Sequence, residues 1–388
     1  MPQISNNELD NNNNLKLISN QKTLTTTIRN KNFSTKSLRT QEWKKYRSEY
    51  FVFRHGLENS STLSTQTSDQ FKLIRLSDLS KKLKIQKLKE AILVPENTCI
   101  AEIACIDEAT QNGEFINETD LNNNPLGSIS DPQFSRYILD IAGSGAVTYI
   151  CGENSNNQLD LEEILDLEEY KLNDLASRFA HWAKSKNIKK LTVTYHCGCG
   201  AVALRKINLS QILKTQPNIE IAQNCAMRLA KKIENFSSQI NHNLHLTVAY
   251  IGDDQICKLR PIQMHNALGT IVCLDSRVVG KAVDKISGFN FFDVLAYSDF
   301  EEGAIESKYK LDIVDNAARN LKLSMQIAMG DHGWGEEIFS YHNPYLILLF
   351  IKNNKQLEEA KLIIHKLEEI VEFKIFEKLN CYIIQNQI

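Results

Sequence analysis

Residues 191–202 constrain this chain more than any other stretch. Leu191-Thr192-Val193-Thr194-Tyr195 is a short apolar, β-branched run, as expected of a strand buried in a parallel sheet. His196-Cys197-Gly198-Cys199-Gly200 follows at once, and Ala201 to Arg205 reads as the opening of a helix. A strand, a tight turn and a helix in that order put His196 and Cys199 at the carboxyl end of a strand. Open α/β sheets bind ligands there. A second run of the same character, from Cys99, ends in Cys105-Ile106-Asp107. Should the two strands be neighbours, Cys105, His196 and Cys199 meet at their tips. Two thiolates and one imidazole, with a fourth position open, describe a catalytic zinc site rather than a closed structural one.

Cys-x-Asp at the end of one strand and His-x-x-Cys-Gly at the end of another resemble the β-class carbonic anhydrases. The flanking text is similar too. Asp174 to Lys190 resembles the helix and turn leading into the family's histidine strand, and Ile141-Ala142-Gly143-Ser144-Gly145 its small-residue loop. The resemblance implies Zn2+ held by Cys105, His196 and Cys199, and reversible hydration of carbon dioxide to bicarbonate by zinc-bound hydroxide. It implies a catalytic role for Asp107, which in the family pairs with an arginine two positions on. Here that position is Ala109. Asp107 is then either partnered by another arginine, Arg136 or Arg205, or drawn onto the metal, which would close the site. Two alternatives to the carbonate dehydratase reading stay open: a zinc-binding pseudoenzyme serving as a binding or assembly module, and a zinc hydrolase of a carbon dioxide analogue.

The motif has an internal echo. Thr270 to Val272 leads into Cys273-Leu274-Asp275-Ser276-Arg277, a nearly complete copy of the family pentapeptide. Further on, Met325 to Gly335 looks like a strand followed by glycines, with His332 available but no cysteine in the ligand position. We therefore expect two family-like lobes, residues 61–255 with the metal and 256–388 without it. Each would be a mostly parallel α/β sheet flanked by helices, and the pair an intramolecular pseudo-dimer. Family members are dimers or multiples of dimers, so homo-oligomers of pseudo-dimers are the implied assembly. Phe289, Phe291, Phe292 and Tyr297 are candidates to wall the first lobe's pocket.

Charge and composition narrow the partners. With 45 basic and 47 acidic residues the net charge is −2, which gives no strong field for nucleic acid or membrane lipid. No apolar run approaches the roughly 18 residues of a membrane span. The first residues contain no apolar signal-peptide core. Nine cysteines, an odd number, fit reduced thiols and a cytoplasmic setting.

The remaining text sets the order of elements. Residues 1–60 are Asn-, Ser- and Thr-rich and read as a low-complexity tail. Leu76 to Ile92 reads as a helix covering the sheet edge ahead of the first lobe. Thr110 to Gln133, polar with two prolines, reads as a loop inserted between the ligand motifs. Helices are expected from Leu161 and over Ile221–Ile240, and a strand over Leu244–Ile251. The chain then closes on a helix, Lys355–Val371, and a strand, Phe373–Ile384. The two endings match, which favours duplication.

Overall fold

The structure is a computed structural model, and it describes residues 43, 44, 47, 48, 50–62, 71–83, 92–106, 115–126, 136–141, 161–251, 267–287, 289–296, 302–305, 312–330 and 333–386. The chain divides into two compact units, residues 1–51 and 52–388. In the first, the rings of Trp43 and Tyr50 meet edge to face at 5.4 Å. The second unit carries both sheets. The tail reading covers residues 1–60; residues 1–42 lie outside the described residues, but 50–60 are helical with Tyr50, Phe53 and Leu57 buried, so the reading fails there.

The first sheet contains β3 (Ile100–Ala104), β4 (Phe115–Thr119), β5 (Tyr137–Asp140), β6 (Lys190–Tyr195) and β7 (His245–Ile251), in the order β4-β7-β6-β3-β5. The second contains β1 (Ser61–Thr62), β2 (Phe71–Arg75), β8 (Ala267–Cys273), β9 (Asn290–Leu295), β10 (Tyr345–Ile351) and β11 (Leu379–Gln385), ordered β1-β2-β11-β10-β8-β9. Within these, β7-β6-β3-β5 and β11-β10-β8-β9 are two parallel quartets of identical order. The fold is thus α/β, with mostly parallel sheets flanked by helices, and one strand pattern occurs twice.

The helices follow from spacing. In α2 (Leu161–Ser185; α1 is Leu76–Leu83) the residues Glu168, Leu172, Leu175, Ala176, Phe179, Ala180 and Ala183 are buried at three- and four-residue intervals. That is one face of a 3.6-residue helix. Glu162 and Glu163 lie in its first turn and Lys184 in its last, in favourable order for the helix dipole. Asn187 then turns the chain with φ 55° into β6. After β6 come α3 (Gly200–Asn208), α4 (Ser210–Leu213) and α5 (Asn218–Gln239), and α5 packs along α2. The second sheet carries α6 (Gly280–Ser287), α7 (Ile313–Met329), α8 (Asn354–Ile370) and the short α9 (Phe373–Phe376). Caps are explicit on two of these. Asp312 accepts from the backbone of Val314 and Asp315, and Asn353 from Gln356.

The interior of the first sheet is unusually polar. Glu102, Arg136, Glu118, Thr192, Thr194 and Thr247 are all buried. Arg136 Nε donates to Glu102 Oε2 at 2.8 Å, and Thr194 Oγ1 to Glu102 Oε1 at 3.4 Å. Glu118 Oε1 accepts from Thr247 Oγ1 at 2.6 Å and pairs with Lys190 Nζ at 2.9 Å. Burying these charges is tolerable because each has an opposite partner and further hydrogen bonds.

Several expectations need revising. Strand β2 pairs in parallel with β11, so residues 71–75 extend the second sheet although their position in the chain suggested the first lobe. Helix α1 follows them there. Leu76, Leu79 and Leu83 line an apolar pocket with Leu348 and Phe350 of β10 and Ile384 of β11. The supposed loop at 110–133 contains β4, which pairs antiparallel with β7 and is broken by a register shift where Asn117 takes φ 53°. Asparagine tolerates that conformation, and its polarity hid a strand. Met325 to Met329 is not a strand but the last turns of α7, and Gly330 is its C-cap. Phe289 and Phe291 pack on Phe53 at ring distances of 6.0 and 6.3 Å, within the second sheet's own core.

The two sheets meet along β5 and β9, where the Asp293 amide donates to the Ile106 carbonyl at 3.3 Å. The segment 302–305, which follows β9, clasps α2. Tyr170 Oη donates to the Ile305 carbonyl at 3.1 Å, and Asp174 Oδ1 accepts from the Ile305 amide at 2.8 Å. Gly303, with φ 86°, lies so close to α2 that a Cβ there would sit 2.5 Å from His181 Nδ1 and 2.9 Å from the Ser177 carbonyl oxygen. Gly303→Ala should therefore destabilise the protein by about 1–3 kcal/mol, since it combines a left-handed backbone with a clash. Urea denaturation of the two proteins measures it.

Lys171 of α2 offers a test by pH. Burial pulls its ammonium down from 10.5 to about 8. Between those values the unfolded chain holds a proton that the folded chain has released. Stability from this group thus rises as pH climbs from about 8 to 10.5. Subtracting the unfolding free energies of Lys171→Met from those of the unaltered protein should expose that rise.

Candidate metal centre

Pairing of β3 with β6 makes the site. Ile103 is opposite Val193, so Cys105, one residue past the end of β3, is level with Tyr195 and adjacent to His196. Gly198 takes φ 69°, a turn open to glycine at no steric cost, and brings Cys199 back to the same place. One ligand atom from each of Cys105, His196 and Cys199 lies within 4.8 Å of the others, and all three residues are buried. The sulfurs of Cys105 and Cys199 are 3.8 Å apart. Two sulfurs at about 2.3 Å from one tetrahedral ion would be separated by about 3.8 Å, so the spacing fits a shared metal.

The orientation of the imidazole fits as well. His196 Nδ1 lies 2.9 Å from the Cys197 carbonyl oxygen. A carbonyl only accepts, so Nδ1 carries the proton and the lone pair is left on Nε2, the arrangement a metal-bound histidine needs. Cys199 is the N-cap residue of α3. A helix N-terminus favours the thiolate over the thiol. The set of donors is therefore suited to a divalent ion of intermediate softness, and this cluster could hold a metal.

The surroundings are apolar. Cys105 and Cys199 pack with Ile106, Val202, Leu209, Leu213, Ile221, Ala222 and Cys225, and Leu161, Ile164 and Leu165 of α2 lie against them. Burial pushes the Cys225 thiol up, so it stays protonated. Cys197 is disulfide-bonded, contrary to the expectation of reduced thiols throughout, and is no spare ligand. Asp107 and Ala109 lie outside the described residues. Both arginines considered as partners for Asp107 have a carboxylate partner among the described residues. Arg136 pairs with Glu102, and Arg205 makes two hydrogen bonds to Glu168, at 2.6 and 3.3 Å.

The second sheet carries no such set among the described residues. Cys273 pairs with Phe350, so Ile351 occupies the position of His196. His332 lies outside the described residues. The Asp275–Arg277 pair is intact, with Arg277 Nε and Nη2 donating to Asp275 at 3.2 and 3.1 Å. Sequence reading identified the three donors. It missed the buried Glu168–Arg205 ion pair nearby, whose only signal was an acid at a position of the apolar stripe of α2.

No helix among the described residues is long and apolar enough to cross a membrane. Comparison of the chain with models of known protein families, with curated proteins and with solved structures gave no match.

Proposed function

We propose that this protein is a zinc-dependent, carbonic-anhydrase-like hydratase of carbon dioxide, acting at Cys105, His196 and Cys199. The observation that carries the reading is the convergence of those donors, at tetrahedral spacing, beside an apolar cluster. When bound there, zinc supplies a water acidified towards neutral pH as the nucleophile. The chain does the rest. The Cys197 carbonyl holds the Nδ1 side of the His196 ring, so that Nε2 would be the atom to hold the ion. Val202, Leu209, Ile221 and Ala222 exclude bulk water and suit a small uncharged substrate. Asp107, two residues beyond Cys105 in the sequence, is the proposed acceptor of the hydrogen bond from the nucleophile.

The identical order of the two parallel quartets supports the further reading that the protein is a tandem duplication forming a pseudo-dimer. In that reading the second half has lost its metal and serves the first as a built-in partner.

Stopped-flow measurement with the zinc-loaded protein tests the activity. Hydration should be detectable from mildly acid to alkaline pH and should disappear with a chelator. Stoichiometric zinc without hydration at any pH rejects the proposal and favours the pseudoenzyme, a reading motivated by Ala109 and by the loss of the second site. Ala109→Arg then discriminates: activity that appears from nothing means the missing arginine had silenced the site.

A further inference from the structure

The ion pair between Arg205 and Glu168 is where the metal site meets the helices around it. Glu168 lies on α2 and is 2% exposed, and Arg205 lies on α3 and is 7% exposed. Arg205 Nε and Nη2 donate to Glu168 Oε1 and Oε2 at 2.6 and 3.3 Å, a two-pronged contact. Arg228 of α5 approaches the same carboxylate at 3.8 Å. One buried carboxylate thus ties together the three helices whose side chains surround the thiols.

The geometry points to a positioning role: we infer that Glu168 and Arg205 hold α3 so that Cys199 stays in ligand position against Cys105. Cys199 is the N-cap residue of α3, so any shift or rotation of that helix moves its sulfur directly. The helix has nine residues, and the side chain of its N-cap residue does not cap the backbone of the first turn. Such a short helix has little stability of its own and takes its position from tertiary contacts. Val202 and Leu209 supply apolar contacts, but these tolerate sliding. A guanidinium and a carboxylate joined through two hydrogen bonds fix direction as well as distance. The Arg205 carbonyl also accepts from the Leu209 amide, so the arginine belongs to the turn that ends the helix. Loss of an outer partner of a metal site typically lowers metal affinity by about 10–100-fold.

This inference rests on the metal reading, and cobalt separates the two. Co(II) substituted into a site with two thiolates absorbs in the near ultraviolet by charge transfer from sulfur, and its affinity is measured by competition with a chelator. The test variant is the double replacement Glu168→Gln/Arg205→Met, which removes both charges and leaves neither buried alone. The control is Asp174→Asn/Arg178→Met, which removes a similar buried pair of α2 whose arginine bonds at 2.9 Å. Thermal unfolding of the metal-free proteins is recorded for each. The expected result is a tenfold to hundredfold loss of Co(II) affinity and a weakened charge-transfer band in the test variant. The control should keep both, even where its unfolding temperature falls. Equal affinity in the test variant and the unaltered protein overturns the inference. Equal losses in test and control also overturn it, because the pair would then act through general stability. An unaltered protein that gives no charge-transfer band refutes the metal reading itself.

Discussion

Serine at position 105 should cost the protein its metal. Zinc measured by elemental analysis after dialysis should fall from about one ion per chain to almost none in Cys105→Ser. The loss of affinity should exceed about a hundredfold, the upper end of what an outer partner contributes. A hydroxyl is harder and far less acidic than a thiol, so at neutral pH it offers no anion to the ion. Carbon dioxide hydration should be lost with the metal. Cys199→Ser should behave alike, with the added loss of a thiolate favoured by the start of α3. Cys273→Ser is the informative contrast. Its position in the second sheet is equivalent, but Ile351 stands where a histidine would be needed, so zinc content should be unchanged. A Cys105→Ser protein that keeps full zinc would mean that the metal sits elsewhere.

The second large effect concerns folding rather than chemistry. Arg136→Met should destabilise the protein by about 3–5 kcal/mol, because it leaves the Glu102 carboxylate buried without its partner. For a chain of this size that is a fall in unfolding temperature of about 4–6 °C. Adding Glu102→Gln should recover most of the loss, since no buried charge then remains and the amide can still accept from Thr194. Calorimetry of the two variants reads this directly. A single variant as stable as the unaltered protein would show that Glu102 reaches water or another cation.

Much of this architecture was legible in the amino-acid order. Apolar β-branched runs ending in small residues located β3, β6 and β8, and the repeated Cys-x-Asp located their counterparts. The cluster of Cys105, His196 and Cys199, which could hold a metal ion, was readable because thiols and imidazole at strand tips carry their own chemical signature. What was hidden had physical causes. Strand β4 is written in asparagine, glutamate and threonine, because its core-facing Glu118 satisfies a lysine and a threonine rather than an apolar layer. The end of α7 looked like a strand because Met325 to Met329 is apolar without clear period, and only its glycine cap marks the boundary. Pairing partners far apart in the chain, such as Arg205 with Glu168, leave no local pattern at all.

The position of β2 bears on how the protein is made. Its partner β11 is contributed by residues 379–385, some three hundred positions later. Residues 100–251 supply every described strand of the first sheet, so that sheet can assemble on the ribosome while the rest is still being synthesised. The other cannot be completed until β11 emerges, and β2 must wait about three hundred residues for that neighbour. Synthesis of β11, not the appearance of Cys105, His196 and Cys199, is then the event that lets the second sheet close.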